Sequence, residues 1–217
     1  VGSYTVSDGR FNIIDKQLAA QLAWTGNAPN QTELGVRYQA FLYKQVVEIY
    51  RRMRSHNPDL ASVSPFTILF YHWKDITSFD QMKAKPVLQQ AKISFQPVLL
   101  SWECWTGQVY AGSTLRLTAH VVIDSEDYRD LKGVALEYRL IDAAGAEYAA
   151  GLASLGDVPY YGTQRKAVVL PLPMGLKTDD YRIHGRLLEG KVVLSENTFD
   201  LFIAGKRAAF IEWATAL

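Results

Sequence analysis

The sequence predicts two units of different class: an α/β segment over residues 1–95, then an all-β, immunoglobulin-like sandwich over 96–205, with a short tail at 206–217. Three observations predict this. The run Val63 to Asp75 holds a continuous apolar and β-branched stretch at 66–70, opened by Pro65, which reads as a strand buried on both faces, and such strands belong to helix-covered parallel sheets. Helical periodicity flanks it on both sides. From Pro97 onward the period changes from 3.6 to 2, with turn residues between some seven short strands over roughly 100 residues, the pattern of a sandwich.

The bulk numbers bound the function classes. With 217 residues, 48% of them hydrophobic, the chain buries a real core. A formal net charge of +1 leaves no electrostatic footprint for nucleic acid or an anionic membrane, so neither is expected as a partner. No apolar run approaches the ~18 to 20 residues that span a bilayer, and the first residues lack the pattern of a secretory leader. A soluble chain is expected, and a periplasmic or secreted location stays open. Cys104 is the single cysteine, which excludes an internal disulfide and any cysteine-based metal site.

Within the first unit, residues 1–30 are polar, aromatic and glycine-bearing, and only 13–24 carries a short helical pattern. Asn30 and Glu33 have capping-box spacing, and Val36, Ala40, Tyr43, Val47 and Tyr50 follow as one apolar helix face running to about Arg54. Arg51, Arg52 and Arg54 read as a solvated basic end that suits the helix dipole. After the strand, a second helix is expected over 80–95 with Val87, Leu88, Ala91 and Phe95 on its apolar side and Pro86 inside or opening it. Two helices and one buried strand leave backbone groups unpaired on both strand edges, so residues 1–95 are expected to need more sheet than they contain.

In the second unit strands are expected at 98–102, 114–123, 133–142, 147–152, 166–172, 181–188, and 192–194 with 198–203. Turns fall at Gly112, Gly145, Gly175 and Gly190, and 142–147 is a hairpin connection of the kind glycine permits. Trp102 and Trp105 flank Cys104 and are expected at the seam between the units.

Several motifs then coincide. Residues 119–145 hold two strands joined by a loop with Asp124 and Ser125, preceded by Lys85-Pro86 and by Pro97-Val98-Leu99-Leu100. This arrangement resembles the family 2 glycoside hydrolases, the β-galactosidase, β-mannosidase and exo-β-glucosaminidase group, although Ile123 stands where the family carries Asn. The resemblance implies that 1–95 is the C-terminal part of a (β/α)8 TIM barrel and that the sandwich braces it. Residues 68–75 would then be similar to barrel strand eight, with Trp73 and Asp75 as its Trp-x-Asp ending and Trp73 lining the sugar pocket. It also implies that the nucleophilic Glu lies just before Val1 and the acid/base Glu further upstream, so this chain carries no catalytic residue of its own. The implied partners are a carbohydrate substrate and the remainder of the barrel, in the same or a separate chain, with self-association as a further option. No cofactor is implied.

The residues themselves offer no substitute chemistry. Retaining glycosidases need two carboxyl groups about 5 to 5.5 Å apart, whereas Glu33, Glu48 and Asp59 lie on or beside a helix and Asp75 has no evident partner. His72 and Asp75 are near in sequence, but no serine sits in a Gly-x-Ser-x-Gly elbow. His56, His120 and His184 lack ligand spacing, and Asp124, Glu126, Asp127 and Asp130 read as a polar turn because their spacing is not that of a calcium loop. Substrate contact is expected instead from Trp73 and Tyr71, which fall on one side of a strand, with His72 and Asp75 beside them. Two other readings stay open: a free-standing carbohydrate-binding or structural sandwich, and a complete small enzyme of another type.

Overall fold

The structure is a computed structural model that describes residues 31–54, 56–57, 59–60, 62–64, 69–70 and 77–205. It divides into two compact units, Val1–Phe95 and Gln96–Leu217.

The first unit contains helix α1, Gln31–Met53, and helix α2, Pro86–Ser94, with a 3-10 turn at Phe79–Gln81 between them. The second helix is shorter than its sequence pattern suggests. Pro86 occupies its first turn, where a missing N–H costs nothing, so Asp80 is left in the separate 3-10 turn. Val36 and Val47 of α1 and Val87 of α2 are fully buried, while Tyr50 and Phe95, expected on the apolar faces, are exposed.

Polar groups take the places those rings do not. Arg51 is buried and its Nη1 donates to the Ser94 carbonyl at 2.5 Å, and the Ser94 hydroxyl donates to Glu48 Oε1 at 3.3 Å. Glu48 also receives Lys44 Nζ at 3.1 Å, and Gln90 Nε2 donates to Ser94 Oγ at 2.9 Å. The solvated basic end expected at the close of α1 is therefore wrong for Arg51: the C-terminal carbonyls of α2 need donors, and a guanidinium supplies them. The strand expected over 66–70 lies outside the described residues except for its last two. Phe70 forms an isolated antiparallel bridge with Ala84, and the Leu69 carbonyl accepts from Lys85 N at 2.9 Å.

The second unit is a sandwich of two sheets. Its strands are β1 Val98–Glu103, β2 Gln108–Tyr110, β3 Thr114–Ile123, β4 Leu131–Asp142, β5 Glu147–Val158, β6 Thr163–Pro171, β7 Asp179–Glu189 and β8 Val192–Ala204. One sheet has the order β1-β3-β6 and the other β2-β8-β7-β4-β5. All pairings are antiparallel except β2 with β8, because the first edge of the chain switches sheets between β1 and β2. This is the Greek-key connectivity of immunoglobulin-like sandwiches. A further hallmark agrees: buried Tyr181, near the start of β7, donates its hydroxyl to the Lys177 carbonyl at 3.2 Å, which is a tyrosine corner.

Period-two alternation builds the core. Leu115, Leu117, Ala119, Val121 and Ile123 of β3 meet Leu136 and Leu140 of β4, Ile183 and Leu187 of β7, and Leu201 and Ile203 of β8. The 142–147 hairpin closes as its glycine predicts: Gly145 has φ of +84°, and Asp142 Oδ1 accepts from Ala144 N and Ala146 N, each at 2.9 Å. Trp102 belongs to the sandwich core at 4% exposure, whereas Trp105 is 88% exposed, so the two do not share one environment.

The edge of β1 that β3 leaves unpaired is closed by side chains. Ser195 Oγ accepts from Leu100 N at 3.0 Å, Asn197 Nδ2 donates to Leu100 O at 2.7 Å, and Trp102 Nε1 donates to Asn197 O at 3.3 Å. Ser195 and Asn197 lie in the middle of β8, in the polar stretch that the sequence marks as a break between two strands. A register shift at Leu187/Leu188 skips Leu194 in the pairing.

Candidate functional site

The side chains with the strongest expectation of substrate contact, Tyr71, His72, Trp73 and Asp75, lie outside the described residues. Among the described residues, several of the ionisable groups weighed from the sequence have defined partners. Glu48 is held between Lys44 and Ser94 in the α1–α2 seam. His120 pairs with Glu103 at 2.7 Å across β3 and β1, and His184 sits between Glu196, at 3.4 Å, and Arg139, at 3.5 Å.

In the acidic loop between β3 and β4, Asp127 and Asp130 are engaged by hydrogen bonds. Asp127 accepts from the Ser125 hydroxyl at 2.6 Å and from Arg129 Nε at 2.9 Å, and these hold its carboxyl below the usual carboxylate range, the serine contributing most. Arg129 also grips Glu189, with Nη1 to Oε1 at 3.0 Å and Nη2 to Oε2 at 2.8 Å, while Glu189 Oε1 accepts from Lys132 N at 2.7 Å. The Arg129 hydrogen bond, then that backbone N–H, hold the Glu189 carboxyl below its ordinary value. Asp157 is lowered by the Gly133 N–H and Lys132, and Asp130 Oδ1 receives Tyr160 N at 2.9 Å. The described residues contain no group of three or more His, Cys, Asp or Glu that could hold a metal ion.

Among the described residues, concave regions open on the outward faces of both sheets. A groove of about 450 Å³ crosses β4, β5 and β7, lined among others by Glu137, Arg139, Leu152, His184 and Arg186. Its charges are matched across strands: Arg186 meets Glu196 at 3.0 Å and Glu137 at 3.7 Å, and Arg182 beside it meets Asp200 at 3.1 Å. Such pairs stabilise by about 0 to 1 kcal/mol each when exposed and leave no net field to attract a charged ligand. The second region, about 220 Å³, lies on the three-stranded sheet beside Trp105. Sequence reasoning missed this one, because an exposed tryptophan three residues from a buried one carries no periodic signal. No helix among the described residues is long and apolar enough to cross a membrane.

Fold and surface together define an immunoglobulin-like sandwich preceded by a helical unit. No protein-family profile and no curated protein matches the sequence. Among solved structures the chain is similar to the Amycolatopsis orientalis exo-chitosanase CsxA, with a TM-score of 0.57 and 15% identity over 92% of this chain and 23% of that one. A structure of the exo-β-D-glucosaminidase CsxA in an inhibition study gives a TM-score of 0.55 and 16% identity over the same 92% and 23%. A β-glucuronidase from glycoside hydrolase family 2 matches over 51% of this chain and 11% of its own, with 14% identity and a TM-score of 0.36. The chain thus spans about a quarter of the length of the exo-chitosanase, and at such identities the likeness is one of fold.

Proposed function

We propose that this chain is the C-terminal portion of a retaining, family-2-like β-glycosidase, with residues 1–95 as the end of its catalytic TIM barrel and 96–205 as the sandwich that braces it. The observation that carries the reading is the extent of the fold match: 92% of the chain is covered by the exo-chitosanase, so the helical unit and the sandwich recur together. A sandwich match alone would favour a free-standing binding module. The Trp73-x-Asp75 ending and the Lys85-Pro86 pair add sequence support.

In this reading the two catalytic carboxylates are supplied by upstream barrel strands, and the present chain contributes the pocket wall. Trp73 presents an aromatic face to the sugar ring, with Tyr71 on the same side of the strand, while His72 and Asp75 offer hydrogen bonds to its hydroxyls. Substrate is a β-linked sugar, and the remainder of the barrel is the obligate partner. The apolar residues that α1 exposes, among them Tyr38, Phe41 and Met53, suit coverage by further barrel helices.

Reading the coding sequence upstream of Val1 tests the assignment first: a Ser-Glu pair immediately before it and an Asn-Glu pair further upstream are expected. A polypeptide extended through those residues should hydrolyse nitrophenyl β-glycosides, while the 217-residue chain alone should not. Trp73→Ala in the active polypeptide should lower kcat/KM by about 10 to 100-fold, equivalent to roughly 1.4 to 2.7 kcal/mol of lost transition-state stabilisation. Turnover by the 217-residue chain itself, or a Trp73→Ala enzyme with unchanged kinetics, would refute the reading.

A further inference from the structure

The outward face of the β1-β3-β6 sheet carries an arrangement that neither core packing nor the glycosidase reading uses. Leu115 and Leu117 of β3 point into the core, so alternation sends Arg116 and Thr118 outward. Register then sets Thr118 opposite Glu103 on one side and Ala167 on the other, and Arg116 opposite Val169. These residues and Trp105 frame the hollow of about 220 Å³.

Trp105 forms its wall, and it is held in place. Its Nε1 donates to Glu103 Oε1 at 3.0 Å, and the other oxygen of the same carboxylate meets His120 Nε2 at 2.7 Å. The one polar atom of the indole is thereby satisfied at the ring edge while the residue stays 88% exposed. A large apolar ring kept in water in a fixed orientation is a prepared contact surface, since ordering it beforehand removes part of the entropy cost of binding.

We propose that this hollow is a saccharide-binding site in which a single pyranose ring stacks its C–H face on Trp105. Arg116, Thr118 and Glu103 meet its hydroxyl groups, and Ala167 and Val169 form the apolar floor. A flat apolar face rimmed by groups of mixed donor and acceptor character is the chemistry of a sugar, above all one whose hydroxyls are all equatorial. The size agrees, because the hollow lies below the ~300 to 1,000 Å³ of pockets that hold drug-sized ligands and so takes one ring. A protein partner fits less well, as a stable interface needs about 800 Å² from each side with an apolar centre. The site belongs to the sandwich alone and does not depend on the glycosidase reading.

The test is a titration of the 217-residue chain with cellotetraose, whose rings are β-linked and all-equatorial, read by tryptophan emission and calorimetry. A saturable change is expected, with Trp105→Ala weakening binding at least tenfold, Trp105→Phe weakening it less, and Thr118→Ala about two- to fivefold. Phe79→Ala, which removes a comparably exposed ring at 86% exposure, should leave binding unchanged, and the circular dichroism of Trp105→Ala should match the parent. Absence of a saturable response in the parent chain overturns the proposal. So does a response that persists within twofold in Trp105→Ala, or one that Trp73→Ala abolishes while Trp105→Ala does not. A Trp105→Ala chain that loses self-association by light scattering with no sugar response in the parent makes the surface a protein contact and likewise overturns it.

Discussion

Gly185→Ala is the sharpest probe of how the sandwich closes. A Cβ at that position would lie 2.4 Å from Trp102 Cζ2 and 2.7 Å from Leu100 Cδ2, against the ~3.5 to 4.0 Å at which two carbons attract. The overlap is at least 0.8 Å on both neighbours, and neither backbone is free to retreat. Trp102 is tethered through Nε1 to the Asn197 carbonyl, and Leu100 is fixed on both its N–H and its carbonyl by Ser195 and Asn197. Relief requires the two sheets to separate locally. Overpacking of a well-packed core costs about 1 to 3 kcal/mol, and anchorage on both sides puts this site at the upper end. For a domain near 100 residues that lowers Tm by on the order of 10 to 20 °C. Melts followed by near-ultraviolet circular dichroism report it, with Gly107→Ala as the control, because a Cβ there meets nothing within 4 Å and its stability should hold or rise slightly. Trp102→Leu should be less damaging in the Gly185→Ala background than alone, since the two changes share one space. A Gly185→Ala chain as stable as the parent, or strict additivity in that cycle, would refute the account of a tryptophan pinned against a glycine.

Other outcomes follow from the same seam and from the loop that opposes it. Asn197→Ala strands the Leu100 carbonyl in a buried position and should cost about 1 to 3 kcal/mol by denaturant titration, whereas an exposed substitution such as Lys191→Ala should change stability by less than about 0.5 kcal/mol. Glu189 has a folded-state pKa below its unfolded one, so the unfolded chain binds more protons between the two values. Its stabilisation is complete above the unfolded value of about 4.3 and is lost as pH falls through the lower, folded value. The Tm difference between the parent and Glu189→Gln should accordingly be largest near neutrality and vanish in strong acid. A difference that grows on acidification would contradict the Arg129 pairing.

Much of the sandwich was legible in the residues. The 114–123 strand follows from alternation alone, and the 142–147 hairpin from a glycine between two apolar runs, because both depend on neighbours close in sequence. The dominant misreading was at 195–197. Ser195, Glu196 and Asn197 look like a polar break between two strands, yet they lie inside one continuous β8, with Ser195 and Asn197 buried. Their hydrogen-bond partner, Leu100, is some 95 residues away, and nothing local announces it. Strand β2 escaped for a related reason: Gln108–Tyr110 is too short for a period, and its parallel partner β8 lies at the far end of the unit.

By itself, then, the order of residues determined the change of class near residue 96, the inward faces of the long strands and the positions of the turns, since these are set by side-chain period and backbone preference within a few residues. Only the tertiary structure decided which polar groups would be buried. Arg51 reads as a solvated helix end until Ser94 is brought against it, and Trp102 and Trp105 look equivalent until one is enclosed by Gly185 and the other is left in water on Glu103. The physical reason is the same in each case. Burying a polar group is favourable only when its hydrogen-bond partner is supplied, and in this chain the partners come from strands and helices distant in sequence.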